Sequence, residues 1–568
     1  MNPVKVYDLA DEALRGGPVP RRLQYLHVLA LAQMGDPDRA EKLYESYDLA
    51  EWRDEDAMAL RGRLYKDQGL AAPSRDQARH FRSASAAYLK AYALNKGYFP
   101  AINAATMLWA AGEADQAGAL ARDVLADPAI VAPQSFYAAA TRAEALLLLR
   151  RTREAKDAVL DALQGQAVAV GERATAYRQL SWLTRRGDLK DDHVKALLTT
   201  LRPPPVLTYT GHMFSGGDVD EADLAAMITA ELDRSGAAIA YGALACGSDI
   251  VIAEQILARG GELHVVLPFH EEDFVRMSVR PGGEAWVERF KSCLGSASSV
   301  TFATSMGHIG RDEQFAYGSQ LMMGLARLRA VQLSAESLQF AVWDGKPPSG
   351  VAGAAADVKL WRAQGFKTQI FNVPGLIRRS VVTPKTSAYR GPVRRTRAVV
   401  FADFAGFSKL PEEAFPTFWR DVLGRIAIVL NRHRKAVCSR NTWGDALFAV
   451  IEDAPTAADI ALDICQALRS GAGADGPAVG MRIGAHFGPL YEERDPVTRQ
   501  TNFYGSEVNL TARIEPKAPV GEVYVTQPFA AILAVAAPDR FISHYVGRIE
   551  LAKAFGEIPL YRLARRER

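Results

Sequence analysis

Cysteine is scarce in this chain. The four among 568 residues, Cys246, Cys293, Cys438 and Cys465, are too scattered for a zinc-ligand spacing or a disulfide framework, so free thiols in a reducing compartment are expected. Long apolar runs are missing as well. The longer ones, such as residues 529–537, fall far short of the ~20 residues that span a bilayer. The opening MNPVKVYDLADEALRGG lacks the apolar stretch of a secretory signal. A cytoplasmic protein with no membrane span is expected. Excess charge of one sign is also absent. The net charge of +3 is too small to argue for a nucleic-acid partner, and none is expected. What is there is ordinary for globular protein, 48% hydrophobic and 23% charged residues, and the length predicts three or four domains.

Residues 1–200 are rich in Ala, Leu and Arg at helical spacing, with few strand signals. A weak repeat shows through. Met34-Gly35-Asp36-Pro37-Asp38-Arg39-Ala40 recurs as Ala111-Gly112-Glu113-Ala114-Asp115-Gln116-Ala117 and, degenerately, as Leu149-Arg150-Arg151-Thr152-Arg153-Glu154-Ala155. In each, a polar turn joins two amphipathic helices, and the final Ala allows close helix contact. The pattern resembles tetratricopeptide repeats, with irregular spacing that demands insertions. Such a stack offers a concave surface to a protein partner. The alternative is a plain helical domain that only packs on its neighbours.

Residues 204–376 alternate strands and helices: strands at 206–210, 237–241 and 263–267, and helices at 222–232 and 250–259. This βαβαβ order predicts a parallel sheet covered on both faces. Glycines at strand ends (Gly211, Gly242 and Gly247) let a backbone approach a phosphate, although no full G-x-G-x-x-G is present. With Gly211-His212, the loop 242–249, Glu254 and Leu267-Pro268, the region resembles the Rossmann-like SLOG family. That resemblance implies a sensor of a nucleotide-like ligand, with Gly211, Gly242, Gly247 and Glu254 as its candidate residues. A structural module whose glycines only make turns is the alternative. Seven basic residues between 378 and 397 (Arg378, Arg379, Lys385, Arg390, Arg394, Arg395, Arg397), with no acid among them, suggest a solvated linker at 378–393.

Residues 394–568 carry the chemistry. A buried strand, 396–402, ends in Asp403, followed by Phe404-Ala405-Gly406-Phe407. A carboxylate there can hold a metal while the backbone cradles phosphates. Two strands, 435–440 and 446–451, joined by Asn441-Thr442-Trp443-Gly444-Asp445, can bring Asp445 beside Asp403. Two ions, Mg²⁺ or Mn²⁺, relieve the repulsion, clamp a triphosphate and activate a hydroxyl. A helix is expected over 415–431. Asn509 and Arg513 stand at i and i+4 on another helix, suited to a phosphoryl group gaining charge. Lys553 adds a cation. His486, at a strand end, is read as structural.

Phe401-Ala-Asp-Phe-Ala-Gly-Phe-Ser408, Trp443-Gly-Asp-Ala-Leu-Phe448, Gly484-Ala-His-Phe-Gly-Pro489 and Tyr504-Gly-Ser-Glu-Val-Asn-Leu-Thr-Ala-Arg513, in this order, resemble the class III adenylate/guanylate cyclase catalytic domain. The resemblance implies an α+β, ferredoxin-like fold and conversion of a nucleoside triphosphate to a 3′,5′-cyclic nucleotide. It implies two metals per site on Asp403 and Asp445, substrate contacts from 404–407, and Lys553 on the triphosphate tail. Asn509 would orient the ribose and Arg513 would stabilise the transition state. It also implies a homodimer in which the two aspartates come from one chain and Asn509, Arg513 and Lys553 from the other. The base-reading positions depart from the pattern. Asn441 stands where Lys or Glu is usual, and Asn502 where adenylate cyclases place Asp. An amide both donates and accepts, so adenine, guanine and pyrimidine all stay open. The rival readings are a catalytically silent cyclase-like dimeriser and a nucleotide-sensing protein scaffold.

Overall fold

The computed structural model describes residues 3–17, 20–165, 167–215, 219–309, 311–348, 350–372, 393–469, 480–552 and 555–566. Two compact units emerge: Met1–Pro203 with Gln332–Ala335, and Pro204–Val331 with Glu336–Arg568. Among the described residues no helix is long and apolar enough to cross a membrane.

The first unit is helical, with consecutive helices packed on one another around cores such as Phe81, Ala84, Tyr88 and Met107. The repeat has a physical basis. Ala40, Ala117 and Ala155 are all fully buried or nearly so. Each preceding helix ends with a residue of positive φ, Gly35, Gly112 or Arg150. Beyond it, an N–H reaches five residues back, from Asp36 to Leu31, Glu113 to Leu108 and Arg151 to Leu146. That is a Schellman closure, which satisfies carbonyls left over at a helix end. A fourth copy, Leu189 N–H to Thr184 O at 2.9 Å with Asp188 at φ 51°, escapes the sequence because no Ala follows it.

In the second unit, β1 (Val206–Gly211), β2 (Ile239–Gly242), β3 (Glu262–Leu267), β4 (Ser299–Phe302), β5 (Ser337–Val342) and β6 (Lys367–Phe371) form a parallel sheet in the order β4-β3-β2-β1-β5-β6. Strand order reverses between β1 and β5. Val, Leu and Ile run through the central strands because helices cover both faces.

The C-terminal part is α+β. Its strands are β7 (Val393–Phe404), β8 (Val437–Trp443), β9 (Ala446–Ile451), β10 (Met481–Arg494), β11 (Thr501–Tyr504), β12 (Val523–Thr526), β13 (Phe541–Leu551) and β14 (Gly556–Arg565). They are ordered β13-β14-β12-β10-β7-β9-β8, with β11 on β10. One sheet face buries Val399, Phe448, Val450, Leu490 and Phe503, with Val508 of the helix Ser506–Ile514 packed against them. Gly484 lets the end of that helix lie on β10, since a Cβ there would stand 2.6 Å from the Glu515 nitrogen.

Three sequence expectations need correction. The basic run is not all linker. Arg394, Arg395 and Arg397 belong to β7, where Arg394 is buried and donates to Pro489 O at 3.0 Å and Arg395 pairs with Glu492 at 3.1 Å. Arg378, Arg379, Lys385 and Arg390 lie outside the described residues. The β8–β9 turn is shorter than five residues. Trp443 pairs with Ala446, leaving Gly444-Asp445 as a two-residue loop that Gly444 closes at φ +66°, so Asn441 sits in the ladder opposite Phe448. The expected helix 415–431 is there without a break, from Phe415 to Arg432, but it is not regular: it widens into π-helical turns at Phe418–Leu423.

The α/β and α+β parts meet inside the second unit along one helix, Glu313–Gln332. The Tyr317 hydroxyl, buried, donates to Phe487 O of β10 at 2.9 Å. Further along, Gly324 lies against the backbone of Ala531 in the helix Gln527–Ala536; a Cβ at 324 would stand 2.2 Å from the Ala531 oxygen.

Candidate active site

Asp403 stands one residue before the end of β7, and the antiparallel register sets Arg482 of β10 directly opposite. The short β8–β9 turn carries Asp445 to the same place. Burial raises the Asp445 pKa, and the neighbouring Asp403 raises it further by charge and hydrogen bonding. Arg482 donates to Asp403 Oδ2, and its Nε stands 3.0 Å from Glu515 Oε1. Burial pushes the Glu515 carboxyl up to about 7; Arg482 opposes the rise while Asp403 and Asp445 add to it. Three carboxyls therefore share one guanidinium.

That donor set suits a divalent cation, which relieves close carboxylates. Among the described residues no three His, Cys, Asp or Glu side chains converge as a complete metal cage. Two aspartates suffice where substrate phosphates and water complete the shell, as magnesium sites on nucleotides are built.

In the turn 404–407, Phe404 and Phe407 pack inward, their rings 5.0 and 4.9 Å from Phe418. Ala405 N–H donates to Gly480 O at 3.3 Å, and Gly406 is exposed at φ +88°. What this turn offers a substrate is backbone. Asn441 is exposed, its Oδ1 accepting from Thr442 N–H at 2.9 Å. Asn502 is more constrained. Its Oδ1 accepts from Phe503 N–H at 2.9 Å, and its Nδ2 donates to Asp495 at 3.3 Å.

Asn509 is exposed on the helix Ser506–Ile514. Arg513, one turn on, lies 4.4 Å over the Phe555 ring, and its buried Nη1 has no hydrogen-bond partner. Neither residue bonds to Asp403 or Asp445 within the chain. Lys553 lies outside the described residues. His486 is buried between Thr526 Oγ1 at 2.9 Å and Glu507 Oε2 at 3.0 Å, an arrangement that orients β10 and leaves it no substrate. Sequence reading missed Arg482, Glu515 and Phe555. Arg482 had one signal, its place next to the Gly484 motif. Removing the ring under Arg513 forfeits a cation–π contact of about 0.5–2 kcal/mol. Phe555→Ala is therefore expected to lower kcat by about 2- to 30-fold, as measured by steady-state kinetics.

A second concave site lies in the α/β part, a cavity of about 620 Å³. Gly211 lines it; Gly242, Gly247 and Glu254 do not. A Cβ on Gly242 would collide with the Tyr209 ring, and Gly247, at φ +88°, would meet Phe214. Those two glycines pack the chain against itself. Glu254 is held by Arg289 at 2.8 and 2.7 Å, and Arg289 also holds Glu221 at 2.8 Å.

The α+β part, with these motifs in this order, is similar to the class III adenylate/guanylate cyclase catalytic domain. Residues 394–564 match the family model described as Adenylate and Guanylate cyclase catalytic domain, and residues 4–108 match Tetratricopeptide Repeats-Sensor. An adenylate cyclase of Streptomyces coelicolor is 31% identical over 185 residues, 30% of this chain and 44% of that protein. An adenylate cyclase of Streptomyces griseus is 30% identical over 149 residues, 24% of this chain and 33% of that one. The chain thus spans less than half the length of either relative. Among solved structures, the guanylate cyclase domain of RhGC from Catenaria anguillulae in complex with GTP aligns with 20% identity and a TM-score of 0.27, covering 31% of this chain and 100% of that one.

Proposed function

We propose that this protein cyclises a nucleoside triphosphate to a 3′,5′-cyclic nucleotide and pyrophosphate, as a homodimer with two composite sites. The observation that carries the reading is the convergence of Asp403 and Asp445 on Arg482, with Asn509 and Arg513 on a separate helix of the same domain. Asp403 and Asp445 would hold Mg²⁺ or Mn²⁺, which would supply Lewis-acid activation of the ribose hydroxyl and charge neutralisation of the triphosphate. Around it, this chain's residues position the substrate. The backbone of 404–407 receives the phosphates. Lys553 of the other chain meets the triphosphate tail, while Arg482 stays between Asp403 and Glu515. Asn509 orients the ribose so that O3′ is in line with the α-phosphorus. The O3′–P bond forms as the α–β bridging P–O bond breaks, the O3′ proton passes to solvent water, and pyrophosphate departs. Arg513, with an unsatisfied Nη1, donates to the oxygens that gain charge. Asn441 and Asn502 face the base. Incubation of the full-length protein with each of the four triphosphates and Mn²⁺, with products identified by mass spectrometry, tests the reading and names the base. No cyclic product from any of them would refute it.

The regulatory half of the proposal makes the SLOG-like α/β part a sensor for the cyclase and the helical repeats a platform for a protein partner. Its support is the helix Glu313–Gln332, whose Gly318, Ser319 and Met322 line the cavity while Tyr317 and Gly324 touch the cyclase fold. A ligand moves such an equilibrium only through different affinities for its two arrangements. Gly324→Leu forces the Gly324–Ala531 crossing apart and is expected to change full-length turnover at least about 3-fold, a shift in barrier of at least about 0.6 kcal/mol. An unchanged rate in a steady-state assay would count against coupling along this helix.

A further inference from the structure

The cavity of about 620 Å³ plays no part in the cyclase chemistry. It opens at the carboxyl ends of β1, β2 and β3, where strand order reverses beside β1, the position at which open parallel sheets bind ligands. Three aspartates line it: the exposed Asp312 and two buried ones, Asp249 at 8% and Asp357 at 6% exposure. Asp249 Oδ2 accepts from Ala245 N–H at 3.3 Å, whereas its buried Oδ1 has no partner. Asp357 Oδ2 accepts from the hydroxyls of Thr210 at 2.9 Å and Ser319 at 3.1 Å. Burial pushes both carboxyls up to about 7.

The rest of the lining decides the sign of the ligand. Met213, Phe274, Met277 and Phe315 give it apolar walls. Among the described lining residues there is no Lys or Arg, and burial lowers the pKa of His308, favouring its neutral form. The helices Ser248–Ala258 and Ala354–Ala363 begin at the rim, but each already carries its aspartate in the first turn. Their N-terminal partial charges are thereby answered from within the chain. A phosphate would meet three carboxyls and, among the described lining residues, no Lys or Arg. A desolvated acceptor without a partner instead asks for an N–H donor.

We propose that this cavity binds a phosphate-free small molecule presenting paired N–H donors on an apolar body, the edge shared by a guanine base and an alkylguanidine, with Asp249 as the acceptor and Asp357 as its neighbour. This departs from the anionic nucleotide that the resemblance of the region suggests. It rests on the sensor reading only for its biological consequence, because binding is read here without turnover.

The test is calorimetric titration of the full-length protein with guanosine, agmatine and GMP. At least one of the first two is expected to bind with Kd below ~1 mM, and Asp249→Asn to weaken that binding at least about tenfold, by presenting a donor where an acceptor is needed. Asp249→Asn also removes a charge that burial disfavours, so its Tm is expected to equal or exceed that of the unaltered protein. If its Tm falls, Ala352→Trp, which fills the cavity from its rim, replaces it under the same criteria. The proposal is overturned if neither probe binds, if binding survives the substitution, or if GMP binds as tightly as guanosine in a manner that the substitution abolishes.

Discussion

Alanine at Asp403 or at Asp445 is expected to reduce cyclic-nucleotide formation at least about 10³-fold, the loss that follows when a preorganised charge is removed from a phosphoryl-transfer site. Folding is expected to survive. Burial raises the Asp445 pKa and Asp403 raises it further, so each truncation relieves a repulsion. Truncation of Asp403 also frees Arg482, which keeps Glu515 at 3.0 Å as a partner. The measurement pairs product formation by mass spectrometry with thermal unfolding of the same preparation. Turnover within tenfold of the unaltered enzyme, in either variant, would remove the metal assignment. A large drop in Tm would mean that the pair is structural.

The composite site gives the second large effect. Asp403→Ala and Arg513→Ala are each expected to be inactive alone and to regain activity when mixed. In a two-fold dimer the mixed pair has one site that loses both residues and one that loses neither. Random exchange makes half the dimers mixed, so recovery should approach about a quarter of the unaltered rate. The motive is the placement of Arg513, which rests on Phe555 with a buried, unpartnered Nη1 and bonds to neither aspartate of its own chain. Subunit exchange is followed with differently tagged chains, and absence of recovery after confirmed exchange would put all five residues in one protomer.

The parts of this protein that could be read from its sequence are those encoded over a few neighbouring residues. A strand that ends in Asp403, a Gly-Asp turn and a helix with Asn509 and Arg513 four residues apart are local patterns, set by backbone preference and by the period of apolar residues. The three buried alanines of the helical region are of the same kind, and so is the βαβ alternation. What the sequence alone did not carry lies between distant segments. Arg482 meets Asp403 across 79 residues because strand register, set by whole-sheet packing, puts them opposite each other. Tyr317 reaches Phe487 across 170 residues. Glycine shows only that space or a left-handed turn is needed. It was tertiary packing that spent Gly242 on Tyr209 and Gly247 on Phe214 and gave the cavity to Asp249 and Asp357. Local steric preference writes itself into composition and spacing, whereas burial and charge at a site depend on which surfaces the folded chain brings together.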